Sequence, residues 1–284
     1  MNRTLLKLST LSLVIVSLSA CNSASDDVNN YTGTTSPAYL SSAAVANLFV
    51  DNYQASTYGL TASDLTGVRI TSTRASLTRS ATVKVSRPVD DTYYGECGGY
   101  IDYRGRYDDD TDYIDVTATA NNYCNYDETF NGFFALEGYS YDLRVDFENF
   151  DYRDDYYNLS FTLNGQTRFE DNYPIYGTTS NMVIDDYQLN QTYMLRNWSE
   201  LVDARIDPEG VFISGEIYDS TFGYVEVTTL EPIVPDGEGQ TGQIVLFGED
   251  SIAWITFYSS GYLVEVDVND DGFIDDDDLY TYIY

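Results

Sequence analysis

The chain has 284 residues, which is long enough to bury a sizeable core, and it carries a formal net charge of −32. Such acidity disfavours binding to nucleic acids, because their phosphates must be neutralised by Lys and Arg. The chain contains no His, which excludes His-dependent nucleophilic catalysis, His metal sites and His-based pH switches.

Residues 1–20 have the pattern of a secretory signal peptide. Arg3 and Lys7 form a basic start, and the apolar run from Leu8 to Leu18 is interrupted only by Ser and Thr. A helix that crosses a membrane needs about 20 apolar residues, so this run is too short to span one. The sequence therefore predicts export.

The signal ends in Leu18-Ser19-Ala20-Cys21, which resembles the lipobox of bacterial lipoproteins. The resemblance implies that Cys21 is lipidated and becomes the first residue of the mature chain, anchored to a membrane by several acyl chains. The alternative is an ordinary signal peptide with a chance Cys. The next residue is Asn22 and not Asp, which by the sorting rule of enteric-type lipoproteins implies the outer membrane.

Residues 22–36 are mostly small and polar, and we predict a flexible tether there. No later segment is apolar enough to span a bilayer as a helix. Pro37 follows Ser36 in the manner of a first helical residue after an N-cap, which predicts a short helix from Pro37 to about Tyr53. The apolar residues near its end are equally compatible with a strand.

A cluster of basic residues follows in a stretch without acidic residues between Asp64 and Asp90. One interpretation is cross-strand pairing with acidic neighbours. The other is a patch that binds the phosphates of anionic lipid or lipopolysaccharide. The cluster consists of Arg69, Arg74, Arg79, Lys84 and Arg87.

Two cysteines, Cys97 and Cys124, remain if Cys21 is lipidated. Export implies an oxidising compartment, so we predict a disulfide between them. The alternative is a two-Cys metal site, which would lack His to complete it.

From Ser80 onwards the dominant pattern is alternation of apolar and polar residues, with the period of two typical of half-buried strands. We therefore predict an all-β fold, an antiparallel sandwich, barrel or curved open sheet, as a single domain over residues 37–284. The predicted strands are Ser80–Arg87, Tyr113–Ala118, Leu143–Glu148, Leu159–Asn164, Val211–Tyr218, Tyr224–Thr229, Gln243–Phe247, Ile252–Tyr258 and Tyr262–Val266.

Turn-forming pairs and triplets separate these runs. We predict turns at Asn131-Gly132, Asn164-Gly165, Pro208-Glu209-Gly210 and Pro235-Asp236-Gly237, the first two as centres of repeated hairpins. A domain seam over residues 171–181 is the alternative to one continuous domain. Two acidic clusters are predicted to be solvated hairpin tips: Asp108, Asp109, Asp110 and Asp112, and Asp151, Asp154 and Asp155.

Residues 267–278 have the spacing of a calcium-binding loop. In twelve positions, Asp267, Asn269 and Asp271 occupy positions 1, 3 and 5, Gly272 allows a sharp turn at 6, and the Phe273 carbonyl stands at 7. The remaining ligands are Asp275 at position 9 and Asp278 at position 12. We predict one structural Ca²⁺ ion, with affinity on the order of 10⁻⁴–10⁻³ M; the alternative is a solvated acidic tail.

This loop resembles the calcium loop of dockerin modules, which also place Asp at position 12 followed by Leu, as in Asp278-Leu279. Dockerins carry two loops on helices, whereas one loop after a predicted strand is present here, so the resemblance does not imply cohesin binding. The chain also resembles a loose class of proteobacterial lipoproteins without a known activity. That likeness rests on Cys97-Gly98-Gly99, Cys124, the Asn-Gly pairs and the stretch from Gly242 to Asp278.

Three functions are consistent with these features. The first is a non-enzymatic, lipid-anchored envelope protein with a structural Ca²⁺ site that binds a protein or glycan ligand. The second is a carbohydrate-binding protein or glycoside hydrolase, since 28 Tyr and 2 Trp can stack on sugars and paired carboxylates can hydrolyse them. The third is an envelope assembly or lipid-handling factor, which would need a large exposed apolar patch. No recognisable catalytic constellation favours an enzyme.

Overall fold

The computed structural model describes residues 31–45 and 87–281, apart from residues 109, 127, 140, 156–158, 189 and 237–238. These residues form one short helix and fourteen strands. The elements are α1 (Ser42–Val45), β1 (Arg87–Tyr94), β2 (Gly98–Asp108), β3 (Tyr113–Asn125), β4 (Glu128–Tyr139), β5 (Asp142–Asp154), β6 (Leu159–Asn172), β7 (Ile175–Asp186), β8 (Gln191–Asp203), β9 (Gly210–Asp219), β10 (Gly223–Asp236), β11 (Gly239–Phe247), β12 (Ile252–Tyr258), β13 (Gly261–Asp267) and β14 (Asp276–Thr281).

All fourteen strands belong to one antiparallel sheet in which each strand pairs with its neighbours in sequence, from β1 to β14. The all-β prediction is confirmed, and of the three architectures the structure has the curved open sheet. The alternation that predicted the strands sets their faces: Ile114, Val116 and Ala118 of β3 are buried, while Asp115 and Thr117 between them are exposed.

The buried faces form two large clusters. Inward-facing side chains of β1 to β7 build the first, which includes Val116, Leu136 and Val145. Those of β8 to β13 build the second, in which Ile244 and Val264 are fully buried. Residues 171–181, the alternative domain seam, lie in the hairpin of β6 and β7, whose strands are paired from Asn172 and Ile175 onwards.

The predicted turns at Asn131-Gly132 and Asn164-Gly165 are wrong, because both pairs lie inside long strands, β4 and β6. They accompany β-bulges, at which one strand carries an extra residue and the register shifts. Glycine and asparagine tolerate positive φ in bulges as well as in turns, so the same residues serve both. The turn predicted at Pro208-Glu209-Gly210 is confirmed, because Pro208 and Glu209 lie in the β8–β9 connection. At the other predicted turn, Pro235 and Asp236 are the last residues of β10, and Gly237 lies outside the described residues.

A repeated hydrogen bond completes the bulges. Asn149 in β5 has a φ of +46°, and its backbone N–H donates to Oδ1 of Asn164 in β6 at 2.8 Å. Asn197 in β8 has a φ of +49° and donates in the same way to Oδ1 of Asn181 in β7 at 2.8 Å. The neighbouring Asn thus supplies an acceptor to an amide that the bulge removes from the regular ladder.

Residues 31–45 dock along the sheet, and we call them the docking segment. Pro37 forms a parallel bridge with Tyr224, and the N–H of Ala38 donates to the Tyr224 carbonyl at 2.8 Å. The helix begins at Ser42, so the prediction that it starts at Pro37 is wrong; residues 46–53 of the predicted helix lie outside the described residues. Residues 31–36 of the predicted tether also contact the sheet, since the N–H of Tyr224 in β10 donates to the Ser36 carbonyl at 3.0 Å.

The predicted disulfide is confirmed. Cys97 precedes β2 and Cys124 lies near the end of β3, with their Cα atoms 5.2 Å apart. The bond joins the ends of two strands that already pair along their length. The predicted hairpin tip at Asp108 is confirmed as the β2–β3 turn, whereas Asp154 of the second acidic cluster is buried and accepts a hydrogen bond from Tyr152 at 3.3 Å.

Candidate functional site

The C-terminal loop starts at Asp267, the last residue of β13, whose side chain is buried. Its Oδ1 accepts the backbone N–H groups of Asn269 at 3.3 Å and Asp271 at 3.1 Å, and its Oδ2 accepts that of Gly272 at 2.6 Å. Burial opposes ionisation of this carboxyl, but the backbone hydrogen bonds outweigh burial and hold its pKa below the usual value. Asp267 is therefore ionised, and its carboxylate holds the loop in place by accepting these three backbone N–H groups.

The rest of the loop continues the same pattern. Oδ1 of Asn269 accepts the N–H of Asp271 at 3.1 Å, and Oδ1 of Asp271 accepts the N–H of Phe273 at 3.1 Å. Asp275 closes the loop by bonding to residues at its beginning. Its Oδ2 accepts the N–H of Val268 at 3.2 Å, and its N–H donates to the Val266 carbonyl at 2.9 Å. The structure thus brings positions 1, 3, 5, 7 and 9 into one compact loop.

Position 12 does not join this loop. Asp278 lies in β14 opposite Val264, and its Oδ2 accepts the hydroxyl of Ser42 at 2.9 Å. Asp276, in the same strand, accepts the N–H of Ser42 at 2.8 Å. Among the described residues, no group of three or more Cys, Asp or Glu side chains is arranged to hold a metal ion. The first half of the loop offers the oxygen ligands that Ca²⁺ prefers, whereas Asp278 is hydrogen-bonded to Ser42 at the start of helix α1.

A second candidate, which the sequence did not reveal, lies on the outward face of β3 to β6. The register places Asp115, Glu137, Arg144 and Arg168 directly opposite one another on successive strands. Beside this row is a cavity of about 280 Å³ lined by Tyr113, Tyr139, Glu137, Asp142, Arg144 and Arg168, among others. A neighbouring cavity of about 320 Å³ shares Arg144 and extends to Asp146 and Asn149. We call the two cavities together the outer groove.

Charged side chains in the outer groove are arranged as fixed pairs. Arg168 donates from Nε to Oδ1 and from Nη2 to Oδ2 of Asp142, both at 2.7 Å. Hydrogen bonding to Arg168 holds the pKa of the Asp142 carboxyl below its usual value, and the same contact raises the pKa of Arg168. Arg144 donates to Oδ1 of Asp146 at 2.6 Å. These pairs offset the repulsion between Arg144 and Arg168, which lie directly opposite each other.

Tyr113 and Tyr139 line one end of the outer groove, and Tyr141 lies beside it. The rings of Tyr139 and Tyr141 are stacked, with centroids 5.4 Å apart and an interplanar angle of 12°. The ring of Tyr113 meets Tyr139 edge-on at 5.3 Å, and its hydroxyl donates to Glu137 at 3.2 Å. Loss of hydration and the neighbouring Glu137 raise the pKa of Tyr113. Aromatic and charged groups thus share one polar, accessible surface.

Several predicted site residues cannot be placed. Cys21 and the basic residues Arg69, Arg74, Arg79 and Lys84 lie outside the described residues. Arg87 begins β1, and its backbone pairs with that of Tyr107. The lipid anchor and the anionic-ligand patch therefore stay predictions. No helix within the described ranges is long and apolar enough to cross a membrane.

Comparison of the chain with protein-family models, with curated proteins and with solved structures found no match.

Proposed function

We propose that this chain is a non-enzymatic, lipid-anchored envelope protein whose β-sheet serves as a binding module. The observation that carries the proposal is the outer groove, where Tyr, Arg and carboxylate side chains converge on an accessible face. Pockets with a few convergent polar groups and aromatic walls are the usual form of a binding site. The groove belongs to β3 to β6, so paired backbone supports its side chains.

The anchor in this proposal is the lipidated Cys21 in the outer membrane. The support comes from the signal-like residues 1–20 and from the lipobox-like end at Cys21. Residues 31–36 already contact the sheet, which leaves residues 22–30 as the tether. At no more than about 3.6 Å per residue, the ten steps from Cys21 to Tyr31 would hold the start of the docking segment within about 36 Å of the anchor.

We also propose that the C-terminal loop binds one structural Ca²⁺ ion through Asp267, Asn269, Asp271, the Phe273 carbonyl and Asp275. Carboxylate, amide and carbonyl oxygens are the ligands that Ca²⁺ prefers, and water completes such sites readily. In this form of the proposal Asp278 is a partner of Ser42 and not a ligand. The ion would neutralise part of the acidic loop and join the end of β13 to the start of β14.

The calcium proposal is tested on the full chain in detergent, stripped of metal, by calorimetric titration and melting curves. We expect about one equivalent of Ca²⁺ to bind, and at ten times Kd the ion would add about 1.4 kcal/mol of stability. The Asp271→Asn plus Asp275→Asn variant removes two charges but keeps an oxygen for each backbone N–H. It should lose the binding.

The matched control is Asp108→Asn plus Asp110→Asn, which makes the same charge change in another acidic turn. Asp108 also accepts a backbone N–H, that of Asp110 at 2.9 Å. Calcium binding should survive in this control and in Asp278→Asn. Absence of saturable binding at millimolar Ca²⁺, or equal loss in the control and the loop variant, would contradict the proposed site.

A further inference from the structure

We propose that the outer groove binds a neutral glycan, with a sugar ring against Tyr139 and Tyr141 and hydroxyl groups on Glu137, Asp142 and Arg144. This inference rests on the proposed function, since it names the ligand class of the same binding module. Three properties of the groove support it: its exposed aromatic rings, its Arg–Asp pairs and its shape.

The aromatic rings occupy a position that core packing does not explain. Tyr139 is 36% exposed on the polar face of the sheet, opposite to the face that forms the core, and Tyr141, 52% exposed in the turn that follows β4, stacks on it. A Tyr ring offers an apolar face and a polar hydroxyl, which suits ligands that are apolar on one side and hydrogen-bonding at their edges. Sugar rings have this character, with C–H groups on their faces and hydroxyls around them.

The charges in the groove suit hydroxyl groups better than ions. Both ends of the Asp142 carboxylate are engaged by Arg168, which also contacts Glu170 at 3.2 Å. A carboxylate has about four lone-pair sites, so Asp142 can still accept hydrogen bonds, while Arg144 keeps donors beyond those given to Asp146. A hydroxyl donates and accepts, and it can use both kinds of group without adding charge.

Charged ligands fit this surface less well. An anionic ligand would meet Glu137, Asp142 and Asp146 as well as the net charge of −32. A cationic ligand would compete with Arg144 and Arg168 for carboxylates that already have partners. A purely apolar ligand would remove water from charged pairs without replacing the lost hydrogen bonds.

The shape of the groove favours a chain of linked units over a single small molecule. Its cavities of about 280 and 320 Å³ adjoin at Arg144 and are open to solvent. Each is close to the lower end of the range for ligand pockets, roughly 300–1,000 Å³. The second cavity opens at the bulge of Asn149, where the strand departs from the regular pleat. Adjacent small sites of this kind suit successive sugars of a polysaccharide.

The test is affinity electrophoresis and calorimetry of the full chain in a detergent without a sugar headgroup. The neutral probes are dextran, laminarin, pullulan and galactomannan, with dextran sulfate and chitosan oligomers as anionic and cationic probes. We expect at least one neutral glycan to bind and the anionic probe not to bind. Tyr139→Ala plus Tyr141→Ala should weaken this binding at least tenfold.

Two further single variants distinguish a loss of glycan binding from a folding defect. Tyr141→Ala alone removes a largely exposed ring outside the strands and should weaken binding severalfold with an unchanged melting temperature. Tyr94→Ala removes a ring that is 78% exposed and stands in a tilted pair with Tyr100 on β1 and β2, so binding should change less than twofold. Equal losses in Tyr94→Ala and Tyr141→Ala would overturn the assignment to the groove.

Failure of this inference is distinguishable from failure of the proposed function. Membrane retention of the wild type and of Cys21→Ser is measured in the same preparations. If no neutral glycan binds, or only chitosan or dextran sulfate binds, the glycan assignment is wrong even when retention depends on Cys21. If Cys21→Ser is retained like the wild type, the lipid-anchored function is wrong whatever the glycan result.

Discussion

Asn149 shows how single residues shape this sheet. It adopts a positive φ in the middle of β5, and two neighbouring strands accommodate it. Asn164 of β6 accepts its N–H, while Gly132 of β4 leaves room for its carbonyl oxygen. An added Cβ on Gly132 would overlap that oxygen and lie 2.8 Å from the Cα of Phe150. One bulge therefore depends on three residues from three strands.

Gly132→Ala should for that reason destabilise the protein. The residue has a φ of +111°, which is strained for Ala, and the new methyl group would force backbone of β5 to move. Strain of this kind costs about 1–3 kcal/mol, and the steric overlap adds to it. We expect a loss of at least about 2 kcal/mol in the free energy of unfolding, measured by urea denaturation.

Gly98→Ala is the matched control for this prediction. Gly98 also has a positive φ, +138°, but a Cβ there would meet no atom within 4 Å. It therefore reports the cost of backbone strain alone. If Gly132→Ala cost no more than Gly98→Ala, the close approach to Asn149 would not be what requires glycine at position 132.

At the scale of elements, the docking segment extends the C-terminal core. Ala38, Leu40 and Val45 are buried among residues of β9 to β13. The N–H of Leu40 donates to the hydroxyl of Ser251 at 3.3 Å, and Ser42 binds Asp276 and Asp278 of β14. The segment therefore joins strands that are distant in sequence, and through β14 it contacts the strand that follows the proposed calcium loop.

Leu40→Ala tests how much this segment contributes to stability. Leu40 is 0% exposed, so its truncation should lower the free energy of unfolding by about 2–5 kcal/mol. The neighbouring Tyr39 is 61% exposed, and Tyr39→Ala should change stability by no more than about 0.5 kcal/mol. Similar melting temperatures for the two variants would show that the docking segment does not stabilise the folded protein.

The local residue pattern predicted the strands but not all of the turns. Period-two alternation predicted runs such as Leu143–Glu148 and Ile252–Tyr258 correctly, because one face of each strand is buried. The Asn-Gly pairs were misassigned to turns because the residue preference at positive φ is the same in bulges. Only the pairing of neighbouring strands distinguishes the two cases.

The positions of the candidate site residues depend on strand pairing even more than the positions of the turns do. The order of Asp, Asn and Gly predicted a loop over residues 267–278, and the structure folds residues 267–275 into a loop while β14 begins at Asp276. The position of Asp278 was not predictable, because it follows from the register of β14 against β13. The outer groove joins residues from β3 to β6, and outward polar positions such as Arg144 carry no sequence signal of their neighbours.

At the scale of the whole molecule, charge is the dominant property. The chain has 46 Asp and Glu against 14 Lys and Arg, so most carboxylates lack a cation of their own. Pairs such as Arg168–Asp142 and Arg205–Asp203 are at the surface and are only modestly stabilising. Repulsion among the remaining carboxylates destabilises the folded chain at low ionic strength.

The melting temperature should therefore rise when a salt without specific affinity is added. At 0.1 M the Debye length is about 10 Å, so repulsion across the sheet is largely screened while hydrogen-bonded pairs lose less. A gain of about 1 kcal/mol would raise the melting temperature by roughly 2–4 °C for a chain of this size. Melting curves in 10 and 200 mM sodium chloride, repeated with choline chloride in metal-free buffer, measure the effect. Equal increases in both salts identify screening; a decrease would mean that attraction within ion pairs outweighs repulsion among the carboxylates.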